Sequence, residues 1–309
     1  MFDNRFMKYL PYFALVLAAL FWSGNFVLGR GVNGVIPPFA LSFWRWAVAL
    51  LVLAPFSAPH FWRQRRLLRR YASLIVVQGI LGVTGFNTIL YLAMQSTTAI
   101  NAVLVNSITP LLIALCSWFF YKERLSVRQI TGILLSFAGV LLILAKGEIV
   151  HLFAISFNRG DLLVLVAALD WALYSVSLRR LPKELNPLAF LFAINLVGLV
   201  GLAFLYAFES QTGSVMPVTL NSVLVVGYVA LCASVLAFLC WNYAVRQIGA
   251  NGVAPFVHLM PLFSSILAIF FLGEQFAWHQ IKGALLIFGG IVLASYRVGQ
   301  PLLRHPNKQ

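Results

Sequence analysis

Apolar residues run through this chain in long blocks, broken by short links that hold most of its basic residues. About twenty apolar residues in a helix cross the hydrocarbon of a bilayer. By that measure the pattern predicts ten spans, near 9–29, 37–56, 72–95, 98–120, 127–145, 160–180, 187–208, 219–245, 251–272 and 279–297. The links between them are short, and no stretch is left over for a soluble domain. The first run, Tyr9 to Leu28, follows Arg5 and Lys8 much as a signal peptide would. It is as long as a full span and lacks a clean small-residue cleavage site, so it reads as the first transmembrane helix.

One part of this pattern is written twice. Tyr91 to Gln95 returns as Tyr243 to Gln247, and from Pro110 onward the second copy lies 151 positions later. Pro110 returns as Pro261, Glu123 as Glu274, Gln129 as Gln280, Gly132 as Gly283 and Gly139 as Gly290. Between 110 and 142, 13 of 33 residues are identical at that spacing. Matches of Leu and Phe are cheap in so apolar a chain. Matches of Pro, Glu, Gln and Gly are not, and they mark an internal duplication. Five spans per copy is an odd number, so the second copy must enter the membrane from the opposite side. The expected fold is an all-α polytopic membrane protein with ten transmembrane helices as two inverted five-helix repeats. The first repeat covers 1–145, a polar linker 146–159, the second repeat 160–297 and a cytoplasmic tail 298–309.

Composition supports lipid as the solvent. The chain has 309 residues, 61% hydrophobic and 10% charged, against about 25% charged in a soluble protein. The net charge of +14 would suggest nucleic acid in a soluble domain, but here it follows the links. With the N-terminus inside, seventeen Lys and Arg fall on the cytoplasmic side. Four, Arg30, Lys146, Arg159 and Lys282, fall opposite. That bias is expected to place both termini in the cytoplasm. The basic stretch His60–Tyr71 suits a short interfacial helix on anionic lipid, and no nucleic-acid partner is expected. Cys116, Cys232 and Cys240 lie inside apolar runs without metal-like spacing, which predicts reduced thiols. No metal cluster, phosphate loop or catalytic motif appears, so no metal, cofactor or catalytic residue is expected.

Polar groups inside the spans are the candidates for function, because an ionisable one costs at least about 2.5–3.5 kcal/mol at a helix centre. Asp170 is the acid deepest in the membrane. It could bind a substrate amine or carry a proton; the alternative is a structural pair with Arg45. Arg45, between Trp44 and Trp46, could hold a substrate carboxylate, or snorkel outward with its stem on the tryptophans. His258, opposite Ser107 of the first copy, could titrate and gate transport, or serve as a hydrogen-bonded helix contact. Pro110 and Pro261 free a carbonyl four residues back, at Asn106 and Val257, and are expected to bend their helices. A softer set, Trp22, Asn25, Asn87, Tyr91, Asn106, Trp171, Tyr174 and Tyr243, offers apolar walls and a few hydrogen bonds to a small amphipathic solute. Gly79, Gly82, Gly85, Gly283, Gly289 and Gly290 are expected to bring helices close. Glu123 and Glu274 cannot share a site, since inversion puts them on opposite sides.

Several of these residues resemble a known family. Ala-Leu-Phe-Trp-Ser-Gly-Asn-Phe at 19–26, Phe43 to Arg45 with Val48-Ala49, Asn106 with Pro110-Leu111, Glu123-Arg124 and Gly273-Glu274 are similar to the EamA branch of the drug/metabolite transporter superfamily. The resemblance covers nearly the whole chain. It implies a ten-helix basket around a central cavity, and transport, often export, of amino acids, related metabolites or drugs. Asp170 departs from the pattern, which has an apolar residue before Trp171. The expected function is therefore a secondary transporter working by alternating access around a midplane site, with proton coupling through Asp170 as an option. The competing expectation is an intramembrane enzyme acting on lipid-linked substrates.

Overall fold

A computed structural model of the chain describes residues 4–32, 34–97, 99–145, 147–148, 158–211, 213–272 and 278–295. The expected tail 298–309, most of the link 146–159 and Glu274 lie outside these residues. The described residues are all-helical, and ten helices are long and apolar enough to cross a membrane. They are α1 (Lys8–Gly29), α2 (Pro38–Arg63), α3 (Ala72–Ala93), α4 (Asn101–Tyr121) and α5 (Val127–Leu144). The remaining five are α6 (Arg159–Arg180), α7 (Pro187–Gln211), α8 (Leu220–Ile248), α9 (Ala250–Leu267) and α10 (Trp278–Ser295). Only α2 departs much from its expected limits. It runs on through Pro55 and Pro59 to Arg63, and the short helix Arg65–Arg70 follows it. Proline is tolerated within membrane helices because neighbours re-satisfy the freed backbone, so it does not end this one.

Ends that lie near water are capped by local chemistry. At the start of α5 the Ser126 hydroxyl accepts the Gln129 N–H while the Gln129 side chain accepts the Ser126 N–H, a reciprocal capping box. One residue kept by the duplication, Gln129, therefore has a stated structural task. Asn158 and Asp161 form the same box at the start of α6. At the start of α2 the donors come from the backbone and the acceptor from afar. Phe39 and Ala40 donate their N–H groups to the Glu209 carboxylate near the end of α7, at 3.1 and 2.7 Å.

The closest packing joins one half of the chain to the other, and it does so in reciprocal pairs. α1 packs on α8 and α9, while α6 packs on α3 and α4; α2 packs on α7, and α5 on α10. The α5–α10 contact explains four of the duplicated glycine positions. A Cβ at Gly132 would lie 2.5 Å from the Gly290 carbonyl oxygen, and one at Gly139 would lie 2.6 Å from that of Gly283. Each glycine thus meets the counterpart of the other, which makes these two related helices antiparallel. Gly79 abuts the Ile194 carbonyl and Val197 of α7, and Gly82 abuts the Tyr174 ring. Gly289 differs from the expectation: the nearest atom to a Cβ there is Leu135 Cδ2 at 3.9 Å. It faces away from the close contact because it is one residue out of register with Gly290.

Four spans are irregular, again in related pairs. α3 contains a π-helical segment at Ile80–Gly85 and α8 one at Val229–Leu236. α4 breaks after Asn106 and restarts at Thr109, with Pro110 in its new first turn. There the carbonyl of Asn106, which cannot receive an N–H from Pro110, accepts the Thr109 hydroxyl at 2.6 Å. α9 passes through a 3₁₀ segment at Ala254–His258 before Pro261. Such breaks survive in a membrane only where protein or a wet cavity satisfies the backbone. All four converge on the same central region.

Candidate functional site

A cavity opens where α1, α3, α4, α6 and α9 meet. Trp22, Asn25, Phe26, Phe86, Asn87, Asn106, Thr109, Trp171, Val257 and Met260 line it. Five of these were expected from the sequence: Trp22, Asn25, Asn87, Asn106 and Trp171. The other five sit on the same helix faces, but nothing in the one-dimensional pattern distinguishes a Phe or Val facing a cavity from one facing lipid. None of the lining side chains carries a formal charge. The space open to a water-sized sphere is only about 20 Å³, room for one or two waters, whereas solute pockets span roughly 300–1,000 Å³. As it stands the cavity is too small for an organic solute.

Its aromatic wall draws on both halves of the chain. Trp22 and Trp171, one from each half, meet edge to face at 5.0 Å and 84°. Trp22 donates its indole N–H to the Ala233 carbonyl at 3.0 Å, an oxygen within the π segment of α8. Tyr174 stacks on Trp171 at 5.0 Å and stands behind it, donating its hydroxyl to Asn242 Oδ1 at 2.9 Å. Tyr243, next to Asn242, is half-buried on α8 and does not line the cavity.

Behind Asn25 and Asn87 lies Arg45, whose side chain is fully buried. Its Nε donates to Ser234 Oγ at 2.8 Å. Its Nη1 donates to Asn87 Oδ1 at 2.9 Å, to Tyr91 Oη at 2.8 Å and, at 3.4 Å, to Asn25 Oδ1. Tyr91 in turn donates its hydroxyl to Asn25 Oδ1 at 2.7 Å. Arg45 Nη2 and Asn87 Nδ2 have no protein partner. Every polar neighbour of this guanidinium is neutral. Two sequence expectations are corrected here. Arg45 does not snorkel outward; its face of α2 turns into the bundle, and Trp44, one residue earlier, is the partly exposed one. Nor does it pair with Asp170. Ser234, which the sequence reading did not single out, holds the guanidinium because the π segment of α8 brings it round to face α2.

Asp170 is half-buried on α6, with its carboxylate against Gly85, next to Phe86 where regular helix resumes after the π segment of α3. Its Oδ1 would lie 2.6 Å from a Cβ at residue 85, so the approach depends on Gly85 having none. Its Oδ2 has no protein partner, and the residue is not among those lining the cavity. His258 is fully buried between α4 and α5, with Nε2 at 2.9 Å from the Ser107 carbonyl and Nδ1 at 2.6 Å from Ser136 Oγ. A carbonyl can only accept, so Nε2 carries a proton. Ser107 is also the position His258 matches in the duplication, so the ring joins two related segments across the molecule. Glu123 forms an ion pair with Arg179 and accepts from Asn251 Nδ2 at 3.3 Å, tying α4 to α6 and α9 at the membrane surface. Cys116, Cys232 and Cys240 are free thiols.

Ten spans, interlocked in reciprocal pairs around a small aromatic and amide-lined cavity, define a multi-pass membrane protein of the transporter type. The chain belongs to the EamA-like transporter family, whose model matches it twice, over residues 10–145 and 158–296. This is the EamA branch of the drug/metabolite transporter superfamily. Among its relatives, an uncharacterized transporter of Archaeoglobus fulgidus is 32% identical, covering 93% of this chain and 97% of its own length. The uncharacterized transporter YyaM of Bacillus subtilis is 29% identical, covering 94% and 95%. A chain of known crystal structure matches with a TM-score of 0.70 over 95% of this chain and 98% of its own; at 20% identity it speaks for the fold.

Proposed function

We propose that this protein is a secondary transporter that moves small organic solutes, amino acids or related metabolites and drugs among them, by alternating access in the direction of efflux. The two halves of the chain, 1–145 and 160–297, act as inverted repeats in a bacterial inner membrane with both termini in the cytoplasm. The observation that carries this reading is the cavity, whose paired tryptophans Trp22 and Trp171 come one from each half. A site shared between two antiparallel, related units opens to one side when one unit rocks and to the other side when its counterpart does. The antiparallel α5–α10 contact and the reciprocal helix pairs support the inversion. The small cavity suits an occluded step between the two openings.

Reconstitution tests it. Purified protein in liposomes is given labelled amino acids, aromatic acids and cationic dyes under imposed solute, proton and voltage gradients. Saturable flux of at least one solute, lost on Trp22→Ala or Trp171→Ala, is the expected result. If no solute moves under any gradient while lipid headgroups are chemically altered, the protein is an intramembrane enzyme instead.

A further inference from the structure

The cavity has no charged lining residue, yet a buried charge stands one hydrogen bond behind it. A guanidinium only donates, so the atoms that Asn25 and Asn87 turn toward Arg45 must be their carbonyl oxygens, as the 3.4 and 2.9 Å contacts show. The Tyr91 hydroxyl has accepted from Arg45 and spends its single proton on Asn25 Oδ1, which removes any freedom to flip that amide. Both asparagines also line the cavity. What they have left to present there is N–H, and Asn87 Nδ2 is buried without a protein partner. Uncompensated buried charge is costly in a low-dielectric interior, and among the described residues no carboxylate pairs with this one.

We infer that the cavity takes solutes carrying a carboxylate, which accepts from the amide N–H groups of Asn25 and Asn87 while the Arg45 cation behind them balances its charge. Arg45 is a positioning residue in this arrangement: it sets the direction of both amides and supplies the field, without touching the solute. Charge-assisted hydrogen bonds are about twice as strong as neutral ones, and the water-poor site magnifies the difference between an anion and its neutral analogue. Trp22, Phe26, Phe86 and Trp171 then wall the apolar body of the solute, which favours aromatic or branched acids over short hydrophilic ones. This deepens the transporter reading above and rests on it.

The experiment uses the full-length protein in liposomes, with fluorescence of the cavity tryptophans as a second readout. The probes are phenylacetate, phenylalanine and tryptophan, the primary amide of each, and benzylamine. At least one acid is expected to quench and cross, with its amide tenfold or more weaker and benzylamine inactive. Asn87→Asp, which keeps the size but sets a carboxylate against the solute, is expected to abolish acid binding and to weaken the amides far less, so that the acid-to-amide preference is lost. Arg45→Lys keeps a charge but not the fork that orients both amides, and is expected to cut the acid-to-amide preference at least tenfold while flux of the amides persists. Should Arg45 variants fail to fold, Ser234→Ala, which leaves the cation in place, must fold and retain the preference. Amides or benzylamine crossing as well as the acids, or an unchanged preference in Asn87→Asp, overturns the carboxylate assignment alone. Flux of no probe of any charge overturns the transporter reading with it.

Discussion

Each half of the molecule holds a tyrosine–asparagine hydrogen bond between its first and third spans, with the residue types exchanged. In the first half Tyr91 on α3 donates to Asn25 on α1 at 2.7 Å; in the second, Tyr174 on α6 donates to Asn242 on α8 at 2.9 Å. The surroundings differ. The first couple is fed by Arg45 and borders the cavity, whereas the second is flanked by Trp241, which donates to Ser175 Oγ at 3.1 Å, and has no charged neighbour among the contacts described. One unit of architecture, used twice, has kept its tie between helices and placed a charge in only one copy.

Breaking the charged couple is expected to do the most damage. Arg45→Met leaves Ser234, Asn87 and Tyr91 without their donor, each buried acceptor costing about 1–3 kcal/mol. Transport in liposomes is expected to fall at least about a hundredfold, since every 1.4 kcal/mol is tenfold. Wild-type flux in that variant would dissolve the contrast between the halves. The seam between the halves comes next. Gly139→Ala drives a methyl into the Gly283 carbonyl and is expected to destabilise by about 1–3 kcal/mol. Gly289→Ala meets only open contact and is expected to be neutral, and thermal unfolding in detergent compares the two.

Asp170→Asn keeps the size of the side chain where it approaches Gly85, so the fold is expected to survive. If the acid carries a coupling proton, uptake driven by a pH gradient is lost while downhill exchange of solute continues. Unchanged kinetics and pH dependence assign Asp170 to holding the irregular turn of α3. The smallest effect is expected in the neutral couple. Tyr174→Phe removes one hydrogen bond to Asn242, a net loss of about 0.5–1.5 kcal/mol, and is expected to lower the unfolding temperature slightly with substrate preference intact. A change of preference there would mean that the second half also reads the solute.

The ten spans were legible because lipid imposes a length on any helix that crosses it, and α2 was misjudged at its end because that rule sees hydropathy and not helix continuity. Asn25, Asn87, Trp22 and Trp171 stood out in the sequence because amides and indoles are conspicuous in apolar blocks, and the fold brings them to one cavity. Phe86, Val257 and Met260 were not, since a cavity wall and a lipid-facing surface use the same residues. Ser234 was invisible for another reason: its orientation depends on a π segment, and no local sequence signal distinguished that segment from regular helix.

What the sequence by itself determined is the solvent, the number of spans and the duplication, which are properties of composition and order along the chain. Direction around each helix axis was left to tertiary structure. A helix that is apolar on every side has no stripe to announce its inward face. Only packing against a second helix decided that Arg45 turns inward to four neutral partners, that Asp170 turns to Gly85, and that His258 is held between Ser107 and Ser136.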